Sequence, residues 1–116
     1  MNFEEIDESK ISSIANEMMD NLMDASTSID HARHVKDFTD RLKNIVTKEY
    51  LTKVCEEYQK EKGLFAERKI IAVLRRPNSA IVIWKQKFTK VGGEYLAEMI
   101  IVHQNGKFLV DHTWVI

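Results

Sequence analysis

The sequence predicts an α+β fold, with three amphipathic N-terminal helices packed on a four-stranded antiparallel meander. Two observations carry this. From Ile11 to Tyr58 apolar residues recur at steps of three and four, the helical period. From Phe65 to Ile116, four stretches rich in Ile, Val, Trp, Phe and Tyr alternate with three turn signals. These are Arg76-Pro77-Asn78-Ser79, Val91-Gly92-Gly93-Glu94 and Gln104-Asn105-Gly106-Lys107, of which Gly-Gly and Asn-Gly supply the positive φ of tight hairpins.

In the first helix Ile11, Ile14, Met18 and Leu22 form the stripe, widened by Ala15 and Met19. Asp7 or Ser9 suits its cap, and Ala25-Ser26-Thr27-Ser28 ends it. Asp30 suits the cap of a second helix with the stripe Val35, Phe38, Leu42 and Ile45. Thr47 caps a third, striped by Leu51, Val54, Cys55 and Tyr58 and stopped by Gly63. No linker or repeat divides the chain, so residues 1–116 read as one domain.

Composition narrows the class. A net charge of −1 with 30% charged residues shows no bias towards nucleic acid. One cysteine excludes an intramolecular disulfide. The acidic start Met1-Asn2-Phe3-Glu4-Glu5 does not read as a signal peptide, and no apolar run approaches the ~18 residues of a membrane span. The expected compartment is the cytoplasm, with no membrane partner.

If the hairpins close on two-residue loops, the registers follow. His103 faces Phe108, Met99 faces His112, Gln86 faces Met99, and Lys69 faces Gln86. One face then carries Val82, Trp84, Gln86, Phe88, Ala97, Met99, Ile101, Val110, His112 and Trp114. A polar row Lys69, Gln86, Met99, His112 crosses it, with Trp84 and Trp114 on either side. Aromatic walls around a few convergent polar groups describe a small-molecule pocket. The alternative is that Lys69 lies at an open edge and Gln86 and His112 bond to helix groups. His112 is the candidate acid/base. No carboxylate falls beside it in this register, because Asp111 points to the other face and Glu67 lies three strands away.

The opposite face carries Ala72, Ile81, Ile83, Ile100, Val102 and Leu109, with Lys87 facing Glu98 at one end. Helices on the aromatic face leave this apolar patch for a partner, and a homodimer pairing its sheets would bury it. The alternative is that the first helix or the tail wraps over it. Asp30-His31-Ala32-Arg33-His34 has metal-ligand spacing without a third ligand and reads as a solvated helix start, so no metal or cofactor is expected. Cys55, on an apolar stripe, reads as a buried inert thiol. Arg75-Arg76 with Lys85, Lys87 and Lys90 makes a basic patch without interleaved aromatics, and nucleic acid is not an expected partner.

This order of elements, with the segment Thr47-Lys48-Glu49-Tyr50-Leu51 and the closing hairpin Met99-Ile100-Ile101-Val102-His103-Gln104-Asn105-Gly106-Lys107-Phe108-Leu109-Val110, resembles the nuclear transport factor 2-like (cystatin-like) superfamily. It is most similar to the small uncharacterised bacterial members. The resemblance implies a cone of helix and curved sheet, often with a pocket and often dimeric, but no reaction. No strand is evident between the helices, where larger members have one. Three functions stay open. One is a non-catalytic binding module for a small apolar or amphipathic ligand or a protein partner. Another is a hydro-lyase- or isomerase-type enzyme using His112. The third is an immunity or inhibitor protein with an acidic surface around Asp20, Asp24, Asp30 and Asp37.

Overall fold

The chain folds in the predicted α+β order, with four α-helices in place of three. The computed structural model describes residues 1–116. A 3-10 turn, Phe3–Glu5, precedes helices α1 (Glu8–Thr27), α2 (His31–His34), α3 (Asp40–Ile45) and α4 (Lys48–Lys62). Strands β1 (Phe65–Arg75), β2 (Ala80–Phe88), β3 (Tyr95–Gln104) and β4 (Lys107–Val115) form one antiparallel sheet in the order β1-β2-β3-β4. Asp30 and Thr47 cap α2 and α4 as expected, each accepting from the backbone N–H three residues on.

The expected second helix breaks because β4 is an edge strand with unpaired backbone groups. Residues Asp37 to Thr39 leave the helical path to meet them. Val110 N–H donates to Asp37 O at 2.7 Å and Thr39 N–H to Val110 O at 2.9 Å, so Phe38 forms a single parallel bridge beside β4. Thr39 then caps α3. At the end of α1, Asp30 N–H reaches Ala25 O and Ile29 N–H reaches Ser26 O, a Schellman closure. The left-handed position falls on Ile29 (φ 53°), a branched residue held there by packing against the core.

The registers depart from expectation in a way that decides the faces. The β3–β4 hairpin pairs His103 with Phe108 and Ile101 with Val110, as predicted. One extra residue, Asp111, then enters β4, so Ile100 faces His112 and Met99 faces Thr113. An odd shift turns every later side chain over. His112 and Trp114 therefore leave the inner face for the outer one. The β2–β3 pairing is offset by four, with Val82 facing Met99 and Gln86 facing Tyr95, because residues 89 to 94 form a longer loop. That even offset preserves the faces. Bulges in β1 bring Arg68 opposite Gln86 and Ile70 opposite Trp84 on the inner face, and put Lys69 opposite Lys85 on the outer one.

The helices lie on the inner face. Trp84, Gln86, Met99, Ile101, Val82 and Val110 are almost fully buried there, beneath Ile11, Met19, Met23, Leu42 and Leu51. No helix or tail covers the outer face, where Ile71, Leu74 and Trp114 are about half exposed.

Gly63 makes the turn from α4 into the sheet at φ 86° and ψ −147°, a region reserved for glycine. A Cβ there would stand 2.8 Å from Lys90 Cβ and press on Thr89 Oγ1. Gly63→Ala is therefore expected to destabilise the protein by at least about 1–3 kcal/mol. A urea midpoint equal to that of the unsubstituted protein would contradict this.

Candidate functional site

The inner face does not form the predicted polar row. Arg68, not Lys69, is the inward cation. Its guanidinium carbon lies 5.4 Å from the Trp84 ring centroid, and Nη2 donates to Asp20 Oδ1 at 2.6 Å. Asn16 Oδ1 accepts from Trp84 Nε1 at 2.9 Å and from Arg68 Nη2 at 3.3 Å. Gln86 Nε2 donates to Lys87 O at 2.8 Å and to Ala66 O, a carbonyl in the β1 bulge. Trp84, Gln86 and Met99 are thus fully buried, while Lys69 stands exposed outside.

The hollow lies further along, where the helices part from β4. A cavity of about 290 Å³ is bounded by α1, α2, α3 and α4 on one side and by residues 112 to 115 with Phe65 and Phe88 on the other. Its lining is mostly apolar. The stripes on α3 and α4 read as core, yet Ile45 and Val54 are exposed, at 51% and 37%. With Tyr50 and Trp114 they supply four of the nine large hydrophobic side chains left exposed, and all four border this cavity. A larger depression of about 740 Å³ lies between α1, residues 36 to 43 and the β3–β4 turn, but Lys36, Asp37, Asp40, Lys43 and Lys107 make its walls largely polar.

Two polar groupings meet the apolar cavity. Ser26 Oγ lies 2.7 Å from Tyr58 Oη and 3.1 Å from Cys55 Sγ, so these three satisfy one another. Burial pushes both Cys55 and Tyr58 above their ordinary pKa values, so Cys55 stays a thiol, the inert form expected of it. His34 is different. The sequence places it in a solvated helix start, but it is only 7% exposed, edge-on to Phe38, and Nδ1 is buried without a partner. Burial, helped by the nearby His31, lowers its pKa to about 4. His31 is occupied elsewhere, with Nε2 at 2.8 Å from Val46 O. No group of three metal-ligating side chains forms.

On the outer face His112 Nε2 lies 3.0 Å from Glu98 Oε1, the carboxylate neighbour that the simple register denied it. Ala72 still faces Ile83 and Val102 still faces Leu109, but Ile83 faces Glu98, and Lys87 pairs with Glu67 instead. Ile81 faces Ile100 and Leu74, extending the apolar patch. Of the aspartates expected to make an acidic surface, Asp20 pairs with Arg68, and Asp24 and Asp30 pair with Arg33. No helix is long and apolar enough to cross a membrane. No protein-family model matches the chain, and no curated protein is significantly similar to it.

The His34 pKa fixes a pH dependence. An unfolded chain takes up a proton on this residue below about pH 6.5, whereas the native state resists until about pH 4. Stability from this group is therefore complete above pH 6.5 and is lost as pH falls, by up to about 3 kcal/mol. His34→Leu is expected to remove that share of the slope. Urea unfolding of both proteins at about pH 7.5 and about pH 5 checks this, and identical losses would contradict it.

Proposed function

We propose that the chain is a non-catalytic binding module that takes a small apolar or amphipathic ligand between its helices and β4. We further propose that it pairs with a second copy through the outer face of the sheet. The observation that supports the ligand site is the apolar ring of Ile45, Tyr50, Val54 and Trp114 around a hollow that the core leaves unfilled. Packed interiors rarely keep voids of this size, and exposed apolar rims mark places where something binds. Its volume lies near the lower end of small-molecule pockets. The acid/base alternative gains the Glu98–His112 pair. His112 borders the cavity but Glu98 does not, and both side chains are partly exposed to water, which weighs for the binding reading.

Val54→Trp tests the cavity. Position 54 is on the rim of α4 and partly exposed, so the larger side chain is accommodated without repacking the core. Naphthalene, followed by ligand-observed NMR, is expected to bind the unsubstituted protein, and its affinity is expected to fall at least about tenfold in the variant. Equal affinities would place the ligand elsewhere.

The dimer follows from Ile81, Ile83, Ile100, Val102 and Leu109, which no helix covers. Fully burying an exposed large aliphatic group is worth roughly 1.5–3 kcal/mol; these are already partly buried, so each contributes a share of that against an association cost of about 4–15 kcal/mol. Lys85–Glu94 and Lys87–Glu67 pairs would form part of a polar rim. In a two-fold interface each substitution acts twice, so Val102→Asp is expected to give a folded monomer. Sedimentation at micromolar concentration reads this, and a monomeric unsubstituted protein would remove the proposal.

A further inference from the structure

We propose that the cavity selects an uncharged molecule with an apolar body and one hydroxyl group, and that this hydroxyl hydrogen-bonds to the imidazole of His34. The inference rests on the cavity reading above and names the chemistry of its occupant. Three observations converge on it.

The first is the isolation of His34. It lines the cavity while more than nine-tenths buried; Nδ1 is sealed in without a partner, and Nε2, which is not sealed and bonds to no group of the chain, is the nitrogen left for a ligand. Buried imidazoles are ordinarily held by a carbonyl or carboxylate, and even the partly exposed His31 is held by Val46 O. A buried polar group without a partner is destabilising, so one that lines an apolar hollow marks where a ligand's polar atom would sit.

The second is that the other buried polar groups of the helical wall are already committed. Ser26, Cys55 and Tyr58 satisfy one another, and the Gln59 amide reinforces Tyr58 and the end of α1. Arg41, at the edge of the cavity, is engaged by Asp111 through both its carboxylate and its carbonyl. Tyr50 has a free hydroxyl but stands exposed at the rim, so His34 is the buried polar side chain of the helical wall with hydrogen-bonding capacity to spare.

The third is charge. His34 is neutral at physiological pH, so it offers one donor and one acceptor but no positive charge to hold an anion. A hydroxyl both donates and accepts, so it suits whichever nitrogen carries the proton. A carboxylate would be desolvated among apolar walls without a counter-charge at His34. Lys62 stands at the rim but lies over the Phe88 and Tyr95 rings, 5.8 and 5.5 Å from their centroids.

The test uses three probes of one shape, naphthalene, a naphthol and a naphthoate, titrated into the full chain by calorimetry. The naphthol is expected to bind about tenfold more tightly than naphthalene despite its lower hydrophobicity, with the naphthoate weakest. In His34→Phe the naphthol advantage is expected to vanish while naphthalene still binds. Should that variant fail to fold, the His34 ring nitrogens of the unsubstituted protein are read by NMR. Their resonances are expected to move on addition of the naphthol and not of naphthalene. Equal binding of naphthol and naphthalene to the unsubstituted protein, or unmoved His34 resonances, would overturn the role of His34 and leave the cavity reading standing. Tightest binding by the naphthoate would overturn the ligand class. Failure of all three probes to bind would overturn this inference and the cavity reading together.

Discussion

The arrangement of this molecule depends on one inserted residue, Asp111. It makes β4 a bulged edge strand, and its own side chain anchors the helical layer to that edge. Thr39 Oγ1 donates to Asp111 Oδ1 at 2.8 Å, and Arg41 Nε approaches the same oxygen at 3.1 Å. Those contacts hold α3 against β4, while Phe38 supplies the backbone bridge alongside. Beyond the bulge the strand faces are exchanged, so Trp114 stands at the cavity mouth and His112 reaches Glu98 across the outer face. Bulges at sheet edges commonly re-aim side chains in this way. The surface ion pair alone contributes little, but here it acts with a cap, a bridge and a backbone hydrogen bond in one short segment.

How much of this was legible in the sequence follows from parity. The order of elements, the three turns and the caps at Asp30, Thr47 and Gly63 are local, and propensity and spacing reveal them. The β2–β3 offset of four arises because Thr89 and Lys90 are drawn towards the α4–β1 junction. Thr89 N–H donates to Leu64 O and Lys90 N–H to Lys62 O. Gly92-Gly93 consequently lies inside a longer loop instead of making the tight turn itself. That error is even, so Trp84, Gln86 and Met99 kept their inward face. A single inserted residue is odd, and nothing in Val110-Asp111-His112 announces it. The predicted row parts there: the bulges turn Lys69, His112 and Trp114 away from Gln86 and Met99, and of the three His112 and Trp114 border the cavity instead.

The inner cation shows the same effect with a chemical consequence. Lys69 and Arg68 are adjacent, and a bulge in β1 selects the arginine. Only a planar guanidinium can lie over the Trp84 ring while donating to both Asn16 and Asp20. A lysine there would leave much of that hydrogen bonding unmade. In place of a polar row open to a ligand, Arg68 and Trp84 tie the sheet to Asn16 and Asp20 of α1, while Arg68 Nε and Gln86 Oε1 stay buried without a partner. The hydrophobic stripes mislead in the opposite sense. Ile45 and Val54 fit the core period of their helices, but both stand on the rim of the cavity instead of in an interior.

The rim and His34 belong to one physical argument. A sequence optimised only for stability would close the hollow with larger side chains and place an apolar residue at position 34. Either change would relieve the unfilled volume or the unpaired imidazole. The chain instead keeps both together, beside four exposed hydrophobic side chains, while its other buried polar side chains are mostly paired. Local rules fail in natural proteins chiefly where function requires it. Here three rules fail within one cavity: a core with a void, a rim with exposed apolar groups, and a buried histidine without a partner. A ligand with an apolar body and one neutral polar group, as proposed, would resolve all three at once. Pairing of the outer sheet faces would leave His34 as it is, which is why the helical cavity, and not the sheet, carries the chemical argument.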